Sequence, residues 1–110
     1  MTVVATHEYP TGTRLTLWCP GCRSGHTIVV DAPNGWTWDG DRERPTISPS
    51  ILAHGVRRAD GTIYRPQCHS FVRAGRWEFL TDSEHDLAGQ TVDVQPFPED
   101  WTFPPSTVTS

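Results

Sequence analysis

Cys19-Pro20-Gly21-Cys22 sets two thiols two residues apart across a Pro-Gly turn, and the third and last cysteine, Cys68, lies far downstream. Proline and glycine tighten the backbone so that both sulfurs point at one small volume. Three soft ligands brought to one point suit Zn²⁺, which takes four ligands at roughly 2.0–2.3 Å. The sequence therefore predicts one Zn²⁺ per chain, held by Cys19, Cys22, Cys68 and one imidazole. Iron is the alternative metal, since rubredoxin-like sites also begin with paired cysteines. A thioredoxin-like redox pair fits less well, because that chemistry sets its first thiol at a helix N-terminus and no helical pattern follows Cys22.

The elements that must carry these ligands read as strands. Thr13–Trp18 alternates into the cysteine turn, and His26–Val30, rich in β-branched residues, returns from it. Strand, knuckle and strand form the half-site of a zinc ribbon. Arg57–Tyr64 holds an Asp-Gly turn between two β-prone runs. Cys68–Arg73 and Arg76–Leu80 flank Ala74-Gly75 as a second hairpin. A two-residue loop there pairs Arg73 with Arg76, sets Cys68 opposite Thr81, and brings His85 beside Cys68. His85 is on that register the first candidate for the fourth ligand. His26 is an alternate by its nearness to the knuckle. His69 is a second alternate, but as a strand neighbour of Cys68 it faces the opposite side. Asp82 is a candidate for orienting a ligand imidazole or for capping one short helical turn near 82–88. Thr91–Val94 closes the series as a last strand.

Two further stretches draw attention. Trp36 and Trp38 alternate with small or polar residues, which sets both indoles on one face as a core cover or a partner surface. In Thr46–Leu52 the hydroxyls suggest a nucleophile, yet no base stands beside them in the sequence, so they read as polar residues at the edge of a strand.

Composition bounds the rest. The chain has 110 residues with 35% apolar content, ten prolines and nine glycines, which fits one small β-rich domain with a thin core. Five tryptophans and four phenylalanines compensate in part, and a structural metal helps a core of this kind most. The expected organisation is a zinc-binding β domain over 1–95 and a Pro-rich extended tail over 96–110, whose Trp101 is a further partner-surface candidate. A net charge of −4, with nine arginines and no lysine, gives no phosphate footprint and argues against nucleic acid. An odd cysteine count, with no secretory signal or membrane span in the sequence, points to reduced thiols in a cytoplasm.

Taken together, Cys19-Pro20-Gly21-Cys22, Gly35–Asp41, Pro45–Ser50, Cys68–Phe71 and Leu87–Val92 resemble the motif series of a family of small proteins from phages of actinobacteria and other bacteria. Members often carry the label ammonia monooxygenase. The resemblance implies no particular activity, and a thiol-rich site in one short chain does not suit an oxygen-activating copper centre. The resemblance also implies a cysteine where this chain has Ser83. The function expected from the sequence is a phage or mobile-element accessory protein with a structural zinc and an unidentified protein partner. The alternatives are a zinc hydrolase or deaminase-like enzyme with an open metal position, and a nucleic-acid-binding zinc ribbon. The deaminase signature, with its His-x-Glu and its proline ahead of the cysteine pair, is missing.

Overall fold

A computed structural model describes residues 2–99; Trp101 and most of the tail lie outside them. Ten strands are assigned: β1 (Val4–Tyr9), β2 (Gly12–Cys19), β3 (Ser24–Val30), β4 (Thr37–Trp38), β5 (Ile47–Ala53), β6 (Val56–Arg57), β7 (Ile63–Arg65), β8 (Cys68–Arg73), β9 (Arg76–Phe79) and β10 (Thr91–Asp93). They form a three-stranded sheet in the order β1-β2-β3, a five-stranded sheet in the order β10-β9-β8-β5-β4, and the small hairpin β6-β7. Every pairing between these strands is antiparallel. The mainly β expectation holds. Near 82–88 the chain makes four-residue turns, Ala88 N–H to His85 C=O and Gln90 N–H to Leu87 C=O, and there is no helix among the described residues.

The core lies between the two larger sheets. Leu15, Leu17, Ile28 and Val30 come from the first; Ile47, Ile51, Val72, Trp77 and Phe79 come from the second. In β2 and β8, residues two apart face the same side, and Leu15, Leu17 and Cys19 of β2 are all fully buried. Trp77 spans the layers. Its ring stacks on Phe79 at 5.5 Å between centroids, and its Nε1 donates to the Trp18 carbonyl of the other sheet at 3.2 Å. Trp36 and Trp38 both pack against this core.

Two local features fix the register on which the site depends. Ala74 and Gly75 both have positive φ, 50° and 79°, as a two-residue hairpin loop with matching twist requires. Arg73 therefore pairs with Arg76 and Ser70 with Phe79. The second feature is a shift of register in β5. Ile47 pairs with Val72 but Ile51 pairs with Ser70, so extra residues bulge out around Ser48–Ser50. β1 has no counterpart in the sequence reading, because His7 and Glu8 break its apolar alternation; Val4 is its buried residue, with Val3 buried just before it.

Candidate functional site

The knuckle between β2 and β3 builds the first constellation. Cys22 N–H points at Cys19 Sγ over 3.4 Å, and Arg23 N–H closes the turn on the Cys19 carbonyl at 2.8 Å. Cys68 opens β8 in the facing sheet, with its sulfur 3.9 Å from Cys19 Sγ. One ligand atom from each of Cys19, Cys22, His26 and Cys68 lies within 4.8 Å of every other. Tetrahedral bonds of 2.0–2.3 Å separate ligand atoms by roughly 3.3–3.8 Å, so small adjustments would seat an ion.

The donor set fits a cation. Hydrogen bonding to Cys22 and then Cys68 lowers the Cys19 pKa far below the usual thiol range. The same contact pushes Cys22 up to about 12, and Cys19 and Cys22 raise Cys68 as well. Three crowded sulfurs thus support one anion among themselves, and a bound cation is what lets all three ionise. His26 supplies a second sign: its Nε2 is buried and has no hydrogen-bond partner among the described residues.

The structure therefore groups His26 with the three thiols, rather than His85, the histidine favoured by the hairpin register. His85 Nε2 does lie 3.3 Å from Cys68 Sγ. Its Nδ1, however, accepts Leu87 N–H at 3.2 Å, which leaves the proton of a neutral ring on Nε2 and makes that nitrogen a donor to sulfur. The imidazole lies so close over Gly21 that a Cβ there would clash with the ring at three of its atoms. His69 faces away from the cluster, as strand alternation requires, and Asp82 goes with it instead of orienting a ligand of the group. Ser83 Oγ likewise points to the backbone of His69. Trp36 and Trp38 are half-buried, each with its indole N–H bonded to a backbone carbonyl.

The second constellation was not legible as a site in the sequence. On the outer face of the five-stranded sheet, Ser50 Oγ of β5 lies 3.2 Å from His69 Nε2 of β8. His69 Nδ1 in turn lies 3.0 Å from Asp82 Oδ2. The base that Thr46–Leu52 lacks in sequence arrives across the β5-β8 pairing. The turn after β9 supplies the carboxylate. Ser83 Oγ, buried, accepts His69 N–H and donates to the His69 carbonyl, both at 3.0 Å. Glu84 accepts Gln67 N–H at 2.8 Å and pairs with Arg57, whose guanidinium holds its carboxyl below the usual range. Trp36 Nε1 donates to the Ser50 carbonyl at 3.1 Å.

A serine, a histidine and an aspartate linked in this order make the hydrogen-bond relay of a nucleophilic hydrolase, recognised by geometry and not by order in the chain. The chain belongs to the BubE family, described as the bacterial ubiquitination-like system serine protease, whose sequence profile matches residues 1–80. Ser50 and His69 fall inside the matched stretch, and Asp82 lies just beyond it. No curated protein and no solved structure matches the chain. Among the described residues no helix is long and apolar enough to cross a membrane.

Proposed function

We propose that this protein is a serine protease of a bacterial ubiquitination-like system, with Ser50 as nucleophile, His69 as general base and Asp82 as the group that orients and balances His69. The observation that carries this reading is the continuous relay from Ser50 Oγ through both nitrogens of His69 to Asp82. The description of the family supports the bond class, a peptide or isopeptide bond. Ser50 Oγ attacks the carbonyl carbon as its proton passes to His69 Nε2. The imidazolium so formed is held by Asp82 and then protonates the leaving amine. Water, deprotonated by the same nitrogen, attacks the acyl-enzyme, and its proton returns to Ser50 as the acid leaves.

The thiol cluster takes a separate, structural part in this reading. One Zn²⁺ is held by Cys19, Cys22, Cys68 and His26, a closed set with no position for a reacting water. Catalysis does not pass through it, which departs from the hydrolase alternative read in the sequence, where the metal would activate water. Iron in place of zinc would leave the relay unchanged.

The decisive experiment is active-site labelling with a fluorophosphonate. The wild-type protein is expected to label at one serine, identified as Ser50 by peptide mass spectrometry. Ser50→Ala should abolish labelling, and His69→Ala should slow it by at least roughly 10³-fold, the scale seen when a triad member is removed. Labelling that persists in Ser50→Ala would sink the assignment.

A further inference from the structure

Beside Ser50 the nucleophile strand has an edge that is unpaired among the described residues, and its backbone groups alternate in direction along it. His69 C=O accepts Leu80 N–H at 2.9 Å, so the polar groups of His69 point toward β9, away from β5. His69 pairs with Leu52. In an antiparallel ladder, a residue whose partner turns its N–H and C=O away turns its own away too. Leu52 N–H and C=O therefore point outward from the sheet edge, where they have no backbone partner among the described residues.

The edge is open because β4 leaves it. Thr37 pairs with Ser48 and Trp38 with Ile47. One residue earlier the chain crosses to the other sheet: Trp36 bridges Val30, and its N–H bonds the Val29 carbonyl at 2.8 Å. Among the described residues, the row that β4 begins beside Ser48 is thus vacant from Ser50 onward. The Ser50 carbonyl is taken by the Trp36 indole, so the first donor–acceptor pair left open among the described residues is that of Leu52, two residues past the nucleophile. The Leu52 side chain is 41% exposed and stands across the strand pair from the general base.

We propose that this edge is the substrate-docking site: an extended polypeptide segment adds as a strand in the row vacated by β4, bonding Leu52 N–H and C=O, with its scissile carbonyl carried to Ser50. The inference rests on the serine protease reading. Recognition is then of backbone, in the manner of strand addition, with an apolar contact at Leu52. Such a site accepts an extended, unfolded segment such as a chain terminus and excludes peptide bonds inside helices or paired strands.

Two readouts separate the dock from the relay. Fluorophosphonate carries no peptide backbone and reports Ser50 and His69 alone, whereas cleavage of fluorescein-labelled β-casein, an unfolded polypeptide, also requires the edge. Leu52→Pro removes the outward N–H, a position at which strands tolerate proline. β-Casein cleavage is expected to fall about tenfold in Leu52→Pro, on the scale of a lost hydrogen bond and its poorer alignment, with labelling within about twofold of wild type. Leu52→Ala keeps the backbone groups and removes only the apolar contact, so it should cleave much closer to the wild-type rate than Leu52→Pro does. A casein peptide cut by the wild-type protein, resynthesised with one N-methyl group at each amide in turn, should resist cleavage at the position that pairs with Leu52 and not at its two neighbours.

Equal cleavage by Leu52→Pro, uniform tolerance of N-methylation, or a loss in Leu52→Ala as large as in Leu52→Pro overturns the dock. So does intact casein in the presence of wild-type protein whose Ser50 labels. If Leu52→Pro also loses labelling, the N-methyl scan on the wild-type protein decides. Failure of the wild-type protein to label at Ser50 instead overturns the protease reading.

Discussion

Two histidines adjoin the three sulfurs, and they differ in which nitrogen is already engaged. His85 Nδ1 is occupied by Leu87 N–H, so its remaining nitrogen is a donor whose partner is Cys68 Sγ. His26 has a buried nitrogen with no partner among the described residues, the state in which a lone pair costs most if left unused. A thiolate bound to a metal keeps negative charge and accepts N–H donors, and such outer contacts set its donor strength. Metal analysis of the purified protein is therefore expected to give one zinc per chain, lost in His26→Ala. In His85→Ala the metal should remain but bind roughly 10–100-fold more weakly, the usual effect of removing a group that supports a ligand. His69→Ala should keep the metal unchanged and lose the labelling of Ser50. Elemental analysis with thiol titration reads all three, and metal retained in His26→Ala but lost in His85→Ala would reverse the two roles.

The element that decides the site is the turn after β9, which grips the start of β8 with four successive residues. Asp82 holds the His69 ring, Ser83 both backbone groups of His69, Glu84 the Gln67 N–H, and His85 the Cys68 sulfur. Because Cys68 and His69 are strand neighbours, this one turn touches the thiol cluster on the buried face and the relay on the outer face. Ser83→Ala removes both bonds to the His69 backbone, each worth about 1 kcal/mol. It should slow fluorophosphonate labelling about tenfold while the metal content stays at wild type, and Ser83→Thr should restore the rate. Labelling kinetics beside elemental analysis test this, and an unchanged rate in Ser83→Ala would remove the turn from the mechanism. This element also marks what the sequence made legible. The Ala74-Gly75 loop fixes a register by counting, and from it the nearness of His85 to Cys68 can be read without coordinates. The partnership of Ser50 with His69 cannot be counted in that way. β5 and β8 are joined through a separate hairpin, and the bulge at Ser48–Ser50 shifts the pairing, so no spacing rule leads from one residue to the other. Asp82 was visible as an acidic residue near a histidine, but its partner was the imidazole facing away from the thiols. The knuckle was legible because its ligands are local, and the relay was hidden because its members meet only across a sheet.

For the whole molecule, a metal held by the cluster would be a cross-link between layers. Cys19, Cys22 and His26 belong to the three-stranded sheet and its turn, and Cys68 belongs to the five-stranded sheet. Between the layers lies a core made largely of short aliphatic side chains around Trp77 and Phe79, thin for a chain of this length. A bound ion closes the loop from Cys19 to Cys68, a separation of 49 residues. Loop-closure entropy of a cross-link at that separation is worth about 4 kcal/mol, the same order as the whole stability of many small domains. For a domain of about this size, each kcal/mol moves the midpoint by roughly 4–8 °C, so removing the metal with a strong chelator should lower Tm by about 15–30 °C. Reducing conditions are needed throughout, because Cys19 and Cys68 sit close enough that oxidation could replace the lost tie. Differential scanning calorimetry with and without chelator, followed by zinc re-addition, checks this. A chelated protein that keeps its Tm would show that the two sheets hold together through Trp77 and its neighbours alone, and the ion would then have no structural part. If Tm falls as expected and labelling of Ser50 falls with it at temperatures where the chelated protein is still folded, the turn that contacts both Cys68 and His69 is the link between stability and activity.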